Sequence, residues 1–352
     1  MGVRTRLTEL LGVEHPVMLA GMGGVSYAAL TAAVSSAGGF GCLGASTMGP
    51  EELAAETAAV RAATDRPFGV DLLTAFPDTL DRQVGVLIDG GATAFVAGLG
   101  VPTSAIDRCH DHGVLVVSLC GRVAHAVRAV EAGCDLVVAQ GTEAGGHTGQ
   151  VATFPLVPQV VDAVGGHVPV VAAGGIVDGR GLAAALALGA DGVWVGTRFI
   201  ATPEARAVPG YKDRLLATAE DGTTVSRAYS GKPMRVVRNA YTALFEEHPE
   251  ELAPFPDQLR RSFTDGAFHL GGDASATVDP ERECYPAGQG VGAIGALVPA
   301  AELVTAFVHE AEAALARAAQ GTGGGAGQSV GTAGSPTARP TAQATPVPPS
   351  PQ

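Results

Sequence analysis

The residue types best suited to chemistry lie in the stretch AQGTEAGGHTGQ, 139–150, which carries four glycines, one carboxylate (Glu143) and one histidine (His147). It follows the apolar run Leu136-Val137-Val138-Ala139, which reads as a buried strand. Glycine costs conformational entropy and is favoured where backbone approaches another group closely or takes a positive φ. A bound ligand is one reason for such a loop. A histidine here can serve as general base or hydrogen-bond donor near neutral pH, or it can be structural, and the residues alone leave both open. Glu143 either orients His147 or caps a loop or helix. No other His, Cys or carboxylate is spaced to share a metal with His147, and His110 and His112 stand two apart on a predicted helix, facing different ways. No metal site is expected.

Two more loops have this character. Gly174-Gly175 and Gly196-Thr197 each follow an apolar run and precede a helical pattern. Small residues there expose backbone N–H groups, and a helix start adds the positive end of its dipole. They read as a phosphate site or, failing that, as tight connections. The segment Gly21-Met22-Gly23-Gly24 is a poor match to GxGxxG, no GxxxxGK[ST] loop occurs, and no Gly-x-Ser-x-Gly elbow marks a serine nucleophile.

Positioning these loops requires a scaffold. Eight short apolar runs, at 17–20, 39–43, 68–72, 93–96, 114–118, 136–139, 169–172 and 192–195, alternate with helical patterns at 27–37, 50–63, 77–89, 102–112, 124–132, 154–164 and 179–188. Strands this apolar are covered on both faces, which predicts a parallel sheet with crossover helices. Eight units predict a closed (β/α)8 TIM-type barrel at 1–205, with an open doubly wound sheet as the alternative. In a barrel the ligand site lies at the C-terminal strand ends, where Gly21, Asp71, Ser118, Gln140, Gly174 and Gly196 fall. Residues 206–287 are more polar and show helical patches without clear strands, predicting a smaller, mostly helical domain. Segment 288–319 returns to the barrel. From 320 to 352 the composition is Gly, Ser, Thr, Ala, Pro and Gln, a tail expected to be disordered.

The chain has 352 residues, 46% of them hydrophobic, and a formal net charge of −13, with Lys212 and Lys232 as its only lysines. Such a chain buries a sizeable core and is a poor partner for nucleic acid or an anionic membrane. Nothing in it reads as a signal peptide or a transmembrane span. The five cysteines, Cys42, Cys109, Cys120, Cys134 and Cys284, form no CxxC. They read as buried free thiols of a cytoplasmic protein; a homo-oligomer is compatible with the composition.

HPVMLAGMGGVS (15–26), AQGTEAGGHTG (139–149), PVVAAGGIVDGRGLAAALALGADGVWVGTRFIAT (169–202) and GQGVGAI (288–294), in this order, resemble the nitronate monooxygenases over about 8–310. The resemblance implies an FMN-bearing barrel that oxidises an alkyl nitronate, or a nitroalkane, with O2 to a carbonyl compound and nitrite. It implies that Gly21, Met22 and Gly23 pass along the flavin ring, and that Gln140 and Gly145 touch the cofactor. Gly174, Gly175, Trp194, Gly196 and Thr197 would surround its phosphate. Gln289 and Gly290 would close the site, and His147 would be catalytic. The family usually carries Asn after the third strand, where this chain has Asp71. A carboxylate cannot donate unless protonated, and its charge would disfavour a reduced anionic flavin. Flavin-dependent enoyl-acyl-carrier-protein reductases using NAD(P)H share the GGH block and are the rival. A non-catalytic FMN-binding barrel is a third reading.

Overall fold

The computed structural model describes residues 3–74, 77–98, 100, 103–269 and 272–323. Eight strands form one parallel sheet: β1 (Val17–Leu19), β2 (Gly41–Gly44), β3 (Phe68–Leu73), β4 (Ala94–Gly98), β5 (Leu115–Cys120), β6 (Leu136–Gln140), β8 (Val170–Ala173) and β9 (Gly192–Val195). Their order is β1-β9-β8-β6-β5-β4-β3-β2. A parallel bridge between Met18 and Phe40 joins the last strand to the first. The sheet is therefore a closed barrel, and the expected (β/α)8 architecture is borne out, with each strand within a few residues of its predicted place.

Period two along each strand sorts the side chains into two layers. Outward residues such as Val70, Leu72, Val116, Val137 and Val193 pack against the helices. Inward residues, among them Met18, Phe40, Cys42, Val96, Val138, Val171 and Trp194, fill the barrel. Leu7 and Leu11 of the helix Arg6–Leu11 belong to the interior cluster too, so this helix plugs one end. Burying each such Leu or Phe contributes roughly 1.5–3 kcal/mol. The helix is held by a capping box at Thr5 and by the ion pair of Arg6 with Asp191 at 2.9 Å.

Beyond the eighth barrel strand, helical patches read at 241–247 and 256–261 are present as Ala240–Glu247 and Asp257–Thr264, and a further helix spans Tyr211–Leu216. The stretch also contains strands where none had been read. β10 (Thr223–Ser226) and β11 (Met234–Val237) form an antiparallel hairpin, and β11 pairs with the two-residue strand β7 (Gly146–His147). The hairpin thus docks on the loop that follows β6. Tyr229, Tyr241, Phe245 and Met234 give this region its own apolar cluster.

The chain up to Leu315 clusters as one compact unit, and Ala316 onward as another. The last helix, Ala300–Gly323, runs past Gln320 into the segment read as tail. The rest of that segment lies outside the described residues. All five cysteines are buried free thiols. Among the described residues no helix is long and apolar enough to cross a membrane.

Candidate active site

His147 is held from two sides. Gln140 ends β6 at an inward-facing position, and its Nε2 donates to the His147 carbonyl at 2.8 Å. On the other side β7 pairs with β11, His147 opposite Met234 and Gly146 opposite Arg235. The hairpin loop brings Ser230 Oγ to 2.9 Å from His147 Nε2. Lys232 follows; its N–H donates to the same Ser230 Oγ at 3.3 Å, and its ammonium stands 4.2 Å from the Phe255 ring centroid. The imidazole is reachable by solvent yet ringed by protein. Desolvation first, and the Lys232 charge second, lower its pKa to about 4. The lowered pKa keeps the ring neutral near neutral pH.

Glu143 is a cap. Its Oε2 accepts from Thr153 N and from Thr153 Oγ1, each at 2.8 Å, at the start of the helix Thr153–Val164. Of the two roles left open for it, the structure selects this one, and the side chain is committed away from His147.

The glycine-rich loops lie together at one end of the barrel. The backbone of Met22 lies over Gly44 at the end of β2, and its Sδ is 3.3 Å from the place a Cβ would take on Gly196. The Gly21-Met22-Gly23 loop therefore crosses the mouth between two strand ends, with Gly23 against Ser46. Gly174 and Gly175 take φ of +105° and +74°, which L side chains rarely adopt. Gly196 caps the first turn of the short helix Thr197–Ile200. Among the described residues the N–H groups of Gly175, Ile176 and Thr197 donate to no protein acceptor. A returning strap ties the loops together. Gly288 N donates to Thr197 Oγ1 at 2.9 Å, and Gln289 N donates to the Glu143 carbonyl at 2.9 Å. A Cβ on Gly145 would sit 2.8 Å from Gly288 N, and one on Gly290 would sit 3.0 Å from the Gly175 carbonyl. Gly288, Gln289 and Gly290 thus rest on the loops after β9, β6 and β8 respectively.

Two expected residues sit deeper. Trp194 is 5% exposed and belongs to the barrel interior, beside Met18 and Ala173 in register, so its side chain forms floor. Asp71 also faces inward, buried against Gly21. Burial pushes its carboxyl well above the usual carboxylate range.

Ser230, Lys232 and Arg235 escaped the sequence reading. Arg235 is buried and donates through Nε to the Thr142 carbonyl at 2.8 Å, which fixes the His147 loop. The signal was present: TTVS and MRVV flank a turn containing Gly231 and Pro233, a hairpin pattern.

A closed barrel with a glycine cradle, unpaired amides and a histidine at its strand ends has the architecture of a TIM-barrel enzyme, and the family it matches makes it a flavin-dependent oxidoreductase. The chain belongs to the nitronate monooxygenase family, whose model matches residues 4–85 and 79–310. It is 45% identical over 239 residues to a Mycobacterium tuberculosis 5-hydroxy-7a-methyl-1-oxo-octahydro-1H-indene-4-carboxyl-CoA dehydrogenase, covering 68% of this chain and 67% of that one. Among solved structures it is similar to FabK from Thermotoga maritima, with TM-score 0.82 and 36% identity over 90% of this chain and 99% of that one. It is also similar to a nitroalkane oxidase from Streptomyces ansochromogenes, with TM-score 0.76 and 31% identity over 89% and 99% of the two chains.

Proposed function

We propose that the protein binds FMN in the barrel mouth and oxidises small alkyl nitronates with O2, giving a carbonyl compound and nitrite. The observation that carries this reading is the grouping of a neutral His147, Ser230 and the Lys232 cation at the mouth. In a chain of net charge −13, one of only two lysines stands there. That arrangement suits a small anion and a proton to be removed beside it.

The residues present fit FMN. The unpartnered N–H groups of Gly175, Ile176 and Thr197, with the Thr197 O–H, suit a phosphate. Gly174 and Gly196 let that backbone approach. Gly21, Met22, Gly23, Gln140 and Gly145 would hold the rest of the cofactor, with Asp71, Trp194, Gln289 and Gly290 lining the same mouth. FMN, when bound, supplies the electron-transfer chemistry. His147 accepts the α-proton of a neutral nitroalkane, and Lys232 holds the resulting nitronate charge.

The 45% identical carboxyl-CoA dehydrogenase favours a second reading, oxidoreduction of a coenzyme A thioester at the same site. One experiment separates them. The purified protein's visible spectrum is recorded without oxygen, then with propionate-3-nitronate, with NADH and with an acyl-CoA in turn. Bleaching by the nitronate alone supports the proposal. Reduction by NADH or the thioester, with silence toward the nitronate, overturns it. A colourless protein that takes up no FMN overturns every flavin reading.

A further inference from the structure

Among the described residues none pairs with the carboxyl of Asp71, which faces the barrel interior. Phe68, Val70 and Leu72 of β3 face the outer helices, so Asp71 faces the barrel axis. It is 9% exposed. On one side it meets Gly21, where a Cβ would overlap that of Asp71 and lie 2.8 Å from Oδ2. On another, a Cβ on Gly98 would lie 3.8 Å from Oδ1. Among the described residues no N–H, hydroxyl or cation is within hydrogen-bond or ion-pair distance of its carboxyl oxygens. Its titratable neighbour is Cys42 on β2, whose thiol burial pushes up well beyond the usual range, so no compensating charge is near. An unpaired carboxylate in such a place costs far more than a neutral acid with its own proton.

We propose that Asp71 stands at the barrel mouth as a neutral carboxylic acid and donates its O–H to an acceptor on the edge of the flavin ring. This rests on the FMN reading. A neutral carboxyl offers one donor and one acceptor, as an amide would, and a buried apolar site is what keeps such an acid protonated. Unlike an amide it can be switched off: ionisation removes the donor and would place a negative charge beside the ring. The burial direction of Asp71 agrees with the neutral form.

The test uses the full-length protein in two measurements. In the infrared difference between wild type and Asp71→Asn at neutral pH, the proposal expects a protonated-carboxyl C=O band that the variant lacks. FMN release on dilution, followed by flavin fluorescence, should be similar in wild type and Asp71→Asn at neutral pH. It should be about tenfold greater in Asp71→Ala, the loss of one donated hydrogen bond. On raising the pH, wild type should lose FMN while Asp71→Asn holds it. A carboxylate band alone at neutral pH, or parallel pH profiles for wild type and Asp71→Asn, overturns the proposal. If neither protein binds FMN, the donor has no acceptor and the role falls with the flavin reading, while the infrared band still decides the protonation state.

Discussion

The imidazole of His147 and the hydroxyl of Ser230 lie 2.9 Å apart, although 83 residues separate them in sequence. The ring sits on the loop after a barrel strand, and the hydroxyl sits on a hairpin outside the barrel. Their meeting is produced by β7 pairing with β11, so the chemistry depends on both parts of the chain being docked.

His147→Ala should lower kcat/KM for a neutral nitroalkane by about 10²- to 10⁴-fold, the usual worth of a positioned general base. Activity toward a preformed nitronate should fall much less, because the proton is already gone. Steady-state rates on the matched pair measure the difference. Equal losses on both would show that the ring does not abstract the proton.

The His147 pKa of about 4 places the acid limb of the nitroalkane pH profile below the ordinary histidine range, with a plateau through neutrality. Lys232→Met removes a cation that opposes protonation, so the limb should move to higher pH. Because the folded ring has the lower pKa, the unfolded chain takes up the proton first as pH falls, and this group contributes a loss of stability on the acid side. A limb unchanged by Lys232→Met would show that the charge is screened from the ring.

Asp71 has the opposite linkage. Its folded pKa is raised by burial, so its stability contribution is complete below the unfolded value and is lost as pH rises toward the folded one. Asp71→Asn should match wild type in Tm at acid pH and exceed it increasingly toward neutral and alkaline pH. Thermal melts across pH, without added flavin, check this. A constant offset would contradict it.

Gly145→Ala should destabilise the fold by about 1–3 kcal/mol, since its Cβ would stand 2.8 Å from backbone atoms of Ala287 and Gly288 that have no flexible end to yield. Denaturant melts report the stability, and flavin retention should fall with it. A variant as stable as wild type would mean that the strap gives way easily.

Much of the barrel was legible because its strands are short β-branched runs between glycine turns and alanine-rich helices. Gly133 and Gly189, at the helix–strand junctions of EAGCD and ALGAD, take φ of +102° and +91°, as those junctions demand. The hairpin was not read because TTVS and MRVV are short and half polar, and their pairing partner is a two-residue strand far away in sequence. Glu143 could not be assigned either: capping Thr153 and orienting His147 call for the same side chain. Asp71 was legible as a departure, but its lack of partners emerges only when Gly21 and Gly98 are seen beside it.

The strap from Ala287 to Gly290 has a consequence for how the protein comes into being. Thr197 waits 91 residues for Gly288 to arrive. A chain made from its N-terminus completes all eight barrel strands well before that bond can form. A nascent barrel therefore carries its glycine loops untied until residue 288 has been made, and a chain cut between Ala201 and Tyr285 should lose the bonds from Gly288 and Gln289 that hold those loops together.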